Sequence, residues 1–442
     1  MFGQFFKSSK KNKTVQEPMA PIRVVIMGRD ENVAVDIKNV LKESFRQMPI
    51  FLSITEDDFI FEDFLASDNK NFFDFYDSGM KALKKHQADV LLRFYQKGGN
   101  VRLHFLTQDM YLTSEVPFFS ALFGLYLPVS YFQEQNLPVQ IANLLGSTCV
   151  ALSLKKDVRY RKILADFVNA LSKNKMPQGI EKKFMPHVLG FLAYNYLALH
   201  EKTFSKKDFK LVLNLIGSAQ QSKSDMYDDM LEGMLLVLTG QTYESAANAK
   251  SADSELFLQR AIENMRKALK YFGKYVFPYD YAHLSLVIAK LCFLYFNFNE
   301  KRQALRDAVA YMRDAQKIFT FASFPYLWAD IEGDLGCYLV RLGLYAENKE
   351  ITELAIENYK NRQTVYQKEK FPLLWAETEK NIADAYYYLG KKLSNVAYFE
   401  KASDCYFNAL EVFEESKDTV YSKMIENTLL KVNEKIISLN EK

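Results

Sequence analysis

Cysteine is scarce in this chain: among 442 residues there are only Cys149, Cys292, Cys337 and Cys405. They lie far apart and form no C-x-x-C pair, which excludes a disulfide framework and leaves reduced thiols in a core. Glycine and proline are few as well, 17 and 11, so a turn-rich β protein is excluded and long helices are expected. Charge of one sign is missing: 57 Lys+Arg against 54 Asp+Glu leave a net +3, so no basic field marks a nucleic-acid binder. No uninterrupted apolar run reaches the roughly eighteen residues of a membrane-spanning helix. The start, MFGQFFKSSKKNK, lacks the apolar stretch and small-residue cleavage site of a secretory signal, and Phe2 excludes myristoylation. A cytoplasmic location is expected.

Motifs of catalysis are missing too. There is no G-x-x-x-x-G-K-[ST] loop and no G-x-S-x-G elbow, and the lone Gly28 does not make a G-x-G-x-x-G fingerprint. The histidines, His86, His104, His187, His200 and His283, share no H-x-x-x-H spacing, and no Cys–His cluster offers metal ligands. The acidic pairs Asp57-Asp58 and Asp228-Asp229 read as solvated loop and helix-start charges. The expectation is no catalytic residue, no metal, no cofactor and no enzymatic activity.

What is present suffices for a packed core: 49% of residues are hydrophobic and 14% aromatic. Residues 1–20 read as a disordered tail. Its Phe2, Phe5 and Phe6 beside Lys7, Lys10, Lys11 and Lys13 give residues 2–13 the makings of a weak peripheral contact with an anionic bilayer. From Pro21 the pattern becomes α/β. IRVVIM is a strand, and Val33, Ile37, Val40, Leu41 and Phe45 fall at helix spacing. Residues 50–54 form a second strand, and 71–86 a helix. Two strands flank Lys97-Gly98-Gly99-Asn100 as a hairpin, and 138–154 is a closing helix.

This order, and ADVLLRFYQKGGNVRLHFLT in particular, resembles the TolB-type amino-terminal domain, found in bacteria in front of β-propeller and tetratricopeptide proteins. The matched parts are residues 71–86, Ala88-Asp89-Val90-Leu91-Leu92, the hairpin turn, Val101-Arg102-Leu103 and 138–154. Residues 115–132 and the proline-free first strand depart from the pattern. The resemblance implies a small α/β domain over 21–155 that docks proteins rather than performing catalysis.

Beyond residue 156 every apolar pattern is helical, and it recurs. Phe277-Pro278, Phe324-Pro325 and Phe371-Pro372 are spaced by 47 residues, each followed by Tyr281-Ala282, Trp328-Ala329 or Trp375-Ala376. The same step links Ala261, Ala308, Ala355 and Ala402. It also links Met265, Met312, Tyr359 and Tyr406, and then Ala268, Ala315, Arg362 and Ala409. Proline at a first helical position sacrifices no hydrogen bond. Small, large and small residues at i, i+4 and i+7 make one stripe against which a neighbouring helix packs closely. A single hairpin cannot bury such faces alone, so hairpins stack.

The spacing resembles the tetratricopeptide repeat (TPR). Ala402, Tyr406 and Ala409 match its second-helix stripe, and Leu335-Gly336 its first-helix pair. The period exceeds the usual 34 residues by about thirteen, expected mainly in the inter-helix turn at 346–352 and in longer helices. Four units (230–276, 277–323, 324–370 and 371–417) precede a capping helix within 418–442, whose Lys423, Glu426, Lys431, Glu434 and Lys435 form a wet face. Residues 156–229 hold three degenerate helices of the same kind. The fold class expected is mainly α: an α-solenoid of TPR-like hairpins behind a small α/β domain. Trp328 and Trp375 pack between hairpins, and at least one of Tyr386, Tyr387 and Tyr388 faces water.

The resemblance further implies a concave groove lined by first helices. By position its candidates are His283, Lys290, Asp330, Arg341, Glu377, Lys380, Asp384 and Tyr387. Their mixed signs point to a ligand bearing both charges, or to a groove filled by the protein itself. Asp384 stands where a clamp for chaperone carboxylates would need Asn. The expectation is a bacterial, non-enzymatic adaptor holding a protein or peptide partner in the groove, with its oligomeric state left open. The alternative is a sensor whose α/β domain binds a small ligand or nucleotide and signals through the array. An enzyme would need its chemistry in residues 110–135.

Overall fold

The computed structural model describes residues 19–45, 50–56, 69–111, 118–133, 138–157, 159–172, 180–200, 203–222, 224–248 and 252–441. The expected tail contact at 2–13 and the pair Asp57-Asp58 lie outside the described residues. The chain is mainly α, with sixteen helices and one five-stranded sheet among those residues.

The sheet unit comes first: β1 (Ile22–Gly28), α1 (Glu31–Ser44), β2 (Ile50–Glu56), α2 (Asn69–Lys85), β3 (Val90–Lys97), β4 (Asn100–Thr107), β5 (Leu125–Pro128), α3 (Ser130–Gln133) and α4 (Val139–Leu152). Strand order is β2-β1-β3-β4-β5. β1 pairs in parallel with β2 and β3, while β3–β4 and β4–β5 are antiparallel. The parallel pairs are joined through helices, as crossovers require. The β3–β4 hairpin needs no helix, because Gly98 (φ +57°) and Gly99 (φ +76°) supply the two left-handed positions of its turn. β5 corrects the sequence reading, which found no strand in 115–132. Its LYLP is too short to display alternation, and pairing along β4 decides it.

The helices that follow are α5 (Tyr160–Ser172), α6 (Met185–His200), α7 (Lys206–Gln221), α8 (Asp229–Asn248), α9 (Ser254–Ala268), α10 (Pro278–Asn299), α11 (Arg302–Gln316), α12 (Pro325–Ala346), α13 (Lys349–Val365), α14 (Pro372–Leu393), α15 (Val396–Glu415) and α16 (Thr419–Asn440). From α10 onward each first helix has 22 residues and begins 47 after the last, and α16 falls in the same register as a further first helix. Ala261, Ala308, Ala355 and Ala402 are all fully buried, as are Met265 and Met312, while Tyr359 and Tyr406 are nearly so.

The turn inside each hairpin is short. Glu300, Glu347 and Ser394, 47 residues apart, all adopt left-handed φ near +50° (53°, 53° and 47°). In the last two hairpins the next residue returns its N–H to the helix, Asn348 to Gly343 O (3.0 Å) and Asn395 to Gly390 O (3.2 Å). The same asparagines then cap the second helix, accepting from Ile351 N–H and Ala397 N–H. The extra residues of the period therefore do not sit in a turn at 346–352, where only Glu347 and Asn348 lie between helices. They lengthen the helices and the links between hairpins, such as 317–324. An aromatic ladder repeats with the same step: Tyr279 meets Phe324 at 5.2 Å, and Tyr326 meets Phe371 at 5.9 Å.

One core cluster runs without a break from Ile22 in β1 to Ala355 in α13, and two smaller clusters occupy the α13–α16 end. Phe123 stacks on Phe191 of α6 at 4.3 Å, and Phe119 meets Tyr194 at 4.7 Å, so the sheet unit and the helices share an interior. Asp228 joins them again. It accepts Leu231 N–H at the start of α8 and the Tyr126 hydroxyl of β5 (3.1 Å), with Arg102 of β4 at 3.6 Å. α10 is, among the described residues, long and apolar enough by composition to cross a membrane, and 56% of that stretch is buried inside the stack. Two smaller expectations are corrected. Tyr386, Tyr387 and Tyr388 are all half-buried, because α13 and α15 both flank α14. Cys337 is exposed, not a core thiol.

Candidate functional site

Because the repeat holds a fixed register, residues 47 apart come to equivalent places on successive first helices. His283, Asp330 and Glu377 are one such set, on α10, α12 and α14. Asp334 and Asn381, one turn further along α12 and α14, belong to another. Together with Lys290 and Cys337 they line a cleft of about 470 Å³. Leu286, Leu327 and Ile331 give it apolar walls, Tyr111 of the sheet unit closes one end, and Arg362 reaches in from α13.

Arg362 is the residue that breaks the alanine set Ala268, Ala315 and Ala409, and the cause lies opposite it. A Cβ on Gly333 would stand 2.9 Å from Arg362 Cδ. The glycine on α12 thus makes room for the arginine, whose side chain is only 12% exposed. Its guanidinium lies 5.4 Å from the Tyr366 ring and 3.8 Å from the Glu377 carboxylate. Its Nε, packed at Gly333, has no hydrogen-bond partner.

The carboxylates are poorly compensated. Asp330 accepts the Tyr366 hydroxyl at 3.0 Å, and Asp334 lies 3.9 Å from Lys290 Nζ. Desolvation by the cleft walls pushes both carboxyls above the ordinary aspartate range; Lys290 and Arg362 offset this in part, and Asp330 adds to it at Asp334. Although Cys337 is exposed, the cleft walls desolvate its thiol and, with Asp334, raise it, so it is a poor nucleophile. His283 is 2% exposed and held down to about 4 by burial. One ring nitrogen bonds the Tyr111 backbone, while Nδ1 has no partner. Beside it Asp280, fully buried, accepts the Tyr111 hydroxyl at 3.0 Å.

Of the residues expected in a groove, His283, Lys290, Asp330 and Glu377 come together, although His283 is buried rather than presented. Arg341, Lys380, Asp384 and Tyr387 do not line this cleft. Arg341 is exposed. Lys380 pairs with Asp384 one turn along α14 at 2.7 Å, and Asp384 also accepts the Tyr406 hydroxyl. Tyr387 packs edge-on against Phe399 at 5.7 Å. Trp328 and Trp375 are half-buried, against Phe321 and under Lys368 respectively. Sequence reasoning missed Asp334, Arg362 and Tyr111. The first two had a signal, a 47-residue echo in Asn381 and a break in an alanine set; Tyr111 had none.

In the sheet unit, the carboxyl end of β1 is filled. A Cβ on Gly28 would meet the Phe94 ring at 2.3 Å, and the Asp30 side chain accepts Val33 N–H at the start of α1. A carboxylate there occupies the place a phosphate would take.

No family model matches the sequence, and no curated protein matches it. Among solved structures the chain is similar to BtubC (BKLC) from P. vanneervenii, with 16% identity and a TM-score of 0.39. That likeness spans 60% of this chain and 92% of the other.

Proposed function

We propose that the chain is a non-enzymatic adaptor, a TPR-like solenoid of long hairpins whose first helices hold a segment of a protein partner. The observation that carries the reading is the cleft itself. Its polar and charged groups come from matching register positions of three successive hairpins, where a packing role alone would place apolar side chains. A preformed site loses little conformational entropy on binding, so modest contacts suffice. The chemistry of the candidate nucleophiles points the same way. Burial pushes the Cys149, Cys292 and Cys405 thiols up to about 12, and holds His187 and His283 at about 4.

The test is to pan a random dodecamer peptide library against the full chain. Enriched peptides are expected to lose binding to Cys337→Arg, which fills the cleft, and to keep it with Tyr275→Arg, which alters a residue 80% exposed and outside the cleft lining. No enriched peptide, or equal binding to both variants, would refute the reading.

A further inference from the structure

We infer that the cleft recognises a basic residue of its partner, an Arg or Lys side chain inserted between Asp330 and Asp334. This rests on the reading of the cleft as a peptide-binding site and names what that site selects. Three carboxylates line the cleft, Asp330, Asp334 and Glu377, against two cations, Lys290 and Arg362. The two cations stand at 3.9 Å and 3.8 Å from Asp334 and Glu377, beyond the range of a charge-assisted hydrogen bond. Asp330 takes its hydrogen bond from a neutral phenol, and Arg362 and Lys290 act on it only at longer range. The surplus negative charge therefore sits at Asp330 and Asp334.

The surroundings suit a cation with an aliphatic stem. Leu286, Leu327 and Ile331 offer apolar surface for methylenes, in the way long basic side chains bury their stems while the charged head finds a partner. His283 beneath is neutral at physiological pH and opposes no incoming charge. With its other ring nitrogen donating to the Tyr111 carbonyl, Nδ1 is an acceptor left unpartnered in a side chain 2% exposed. Among the described residues of the cleft, the buried donor without a partner, Arg362 Nε, is turned to Gly333. Both the charge and the free hydrogen-bonding capacity at this end of the cleft ask for a ligand that brings donors. An ammonium or guanidinium group does so; a carboxylate, such as a free C-terminus, does not.

The experiment uses the peptides enriched on the full chain in the panning above. They are expected to share a fixed Arg or Lys, and replacing it by citrulline or norleucine should weaken binding to the unaltered protein about tenfold or more. Asp330→Asn combined with Asp334→Asn should erase that preference and raise the dissociation constant by a similar factor, with unchanged thermal unfolding as the control for folding. Binding should also weaken with added salt, because Asp330 is exposed and the Asp334 side chain is 44% exposed. Enriched peptides with no shared basic residue, or citrulline peptides that bind as well, would overturn the inference while leaving peptide binding intact. Failure to enrich any peptide would overturn both.

Discussion

Asp280 opens α10 with no exposed surface, one oxygen bound by the Tyr111 hydroxyl and the other, Oδ2, unpartnered. Desolvation, only partly offset by Ser120 and Tyr111, pushes its carboxyl up to about 7 from 3.8. The native state thus binds a proton that the unfolded chain has released between about pH 4 and pH 7. By linkage its contribution is fully present below pH 4 and is lost as pH rises through 7, at a cost of order 2–4 kcal/mol. His187 and His283, both held near 4, act in the opposite sense, losing stability as pH falls below their unfolded range. A comparison at one site separates the two. Asp280→Asn keeps an acceptor for Tyr111 and has no charge to bury, so it should gain on the unaltered protein as pH goes from 5 to 8. Urea unfolding at the two pH values measures this, and a difference that stays constant with pH would refute it. At this scale the sequence is partly legible. The acidic and basic positions of first helices could be read from the period. That His283 lies under the cleft could not, because its cover comes from Tyr111 and Phe118, far away in the chain.

The hairpin is the element that the period encodes, and its stripe of small residues sets how near two helices come. Ala355 has no exposed surface, and one turn on, Tyr359 fills the space over Gly336, where a Cβ would stand 2.5 Å from the ring. Leucine at Ala355 overfills this contact and should destabilise the chain by about 1–3 kcal/mol. Gly217 in α7 provides the contrast, since a Cβ there meets nothing within 4 Å. Gly217→Ala should stabilise by about 0.5–1 kcal/mol through the entropy of the unfolded chain. Urea midpoints of the two variants should move in opposite directions; movement in the same direction would mean that the stripe does not set the helix spacing. Elements defined by long periodic patterns, such as α10 to α16, were readable for this reason. β5 was not, because four residues carry no period, and the hairpin turn was read as too long because nothing in Glu347 or Ser394 announces a left-handed residue.

Across the whole molecule, stability should grade from one end to the other. In a stack each hairpin touches only its neighbours, so cooperation depends on how its interior joins the next. From β1 to α13 the interior is a single cluster, reinforced by Phe123 on Phe191, Phe118 on Phe272 and the Arg102–Tyr126–Asp228 network between sheet and helices. α6 has Pro186 through Leu199 all buried, an arrangement that requires cover on every side. The sequence placed helices between the α/β segment and the repeat but gave no sign that α6 is buried on every side by both. At the other end, α16 buries only Ser422, Ile425 and Val432, and Val420, Leu430 and Ile437 are each more than half exposed. Regions with few buried apolar contacts open locally at low free energy. Native-state hydrogen exchange should therefore show α16 and then α15 opening well below the global unfolding free energy, with β1, β3, α6 and α8 exchanging only through it. A single opening free energy along the entire chain would contradict this, and would mean that the two carboxy-terminal clusters are bound to the main interior more tightly than their contacts provide.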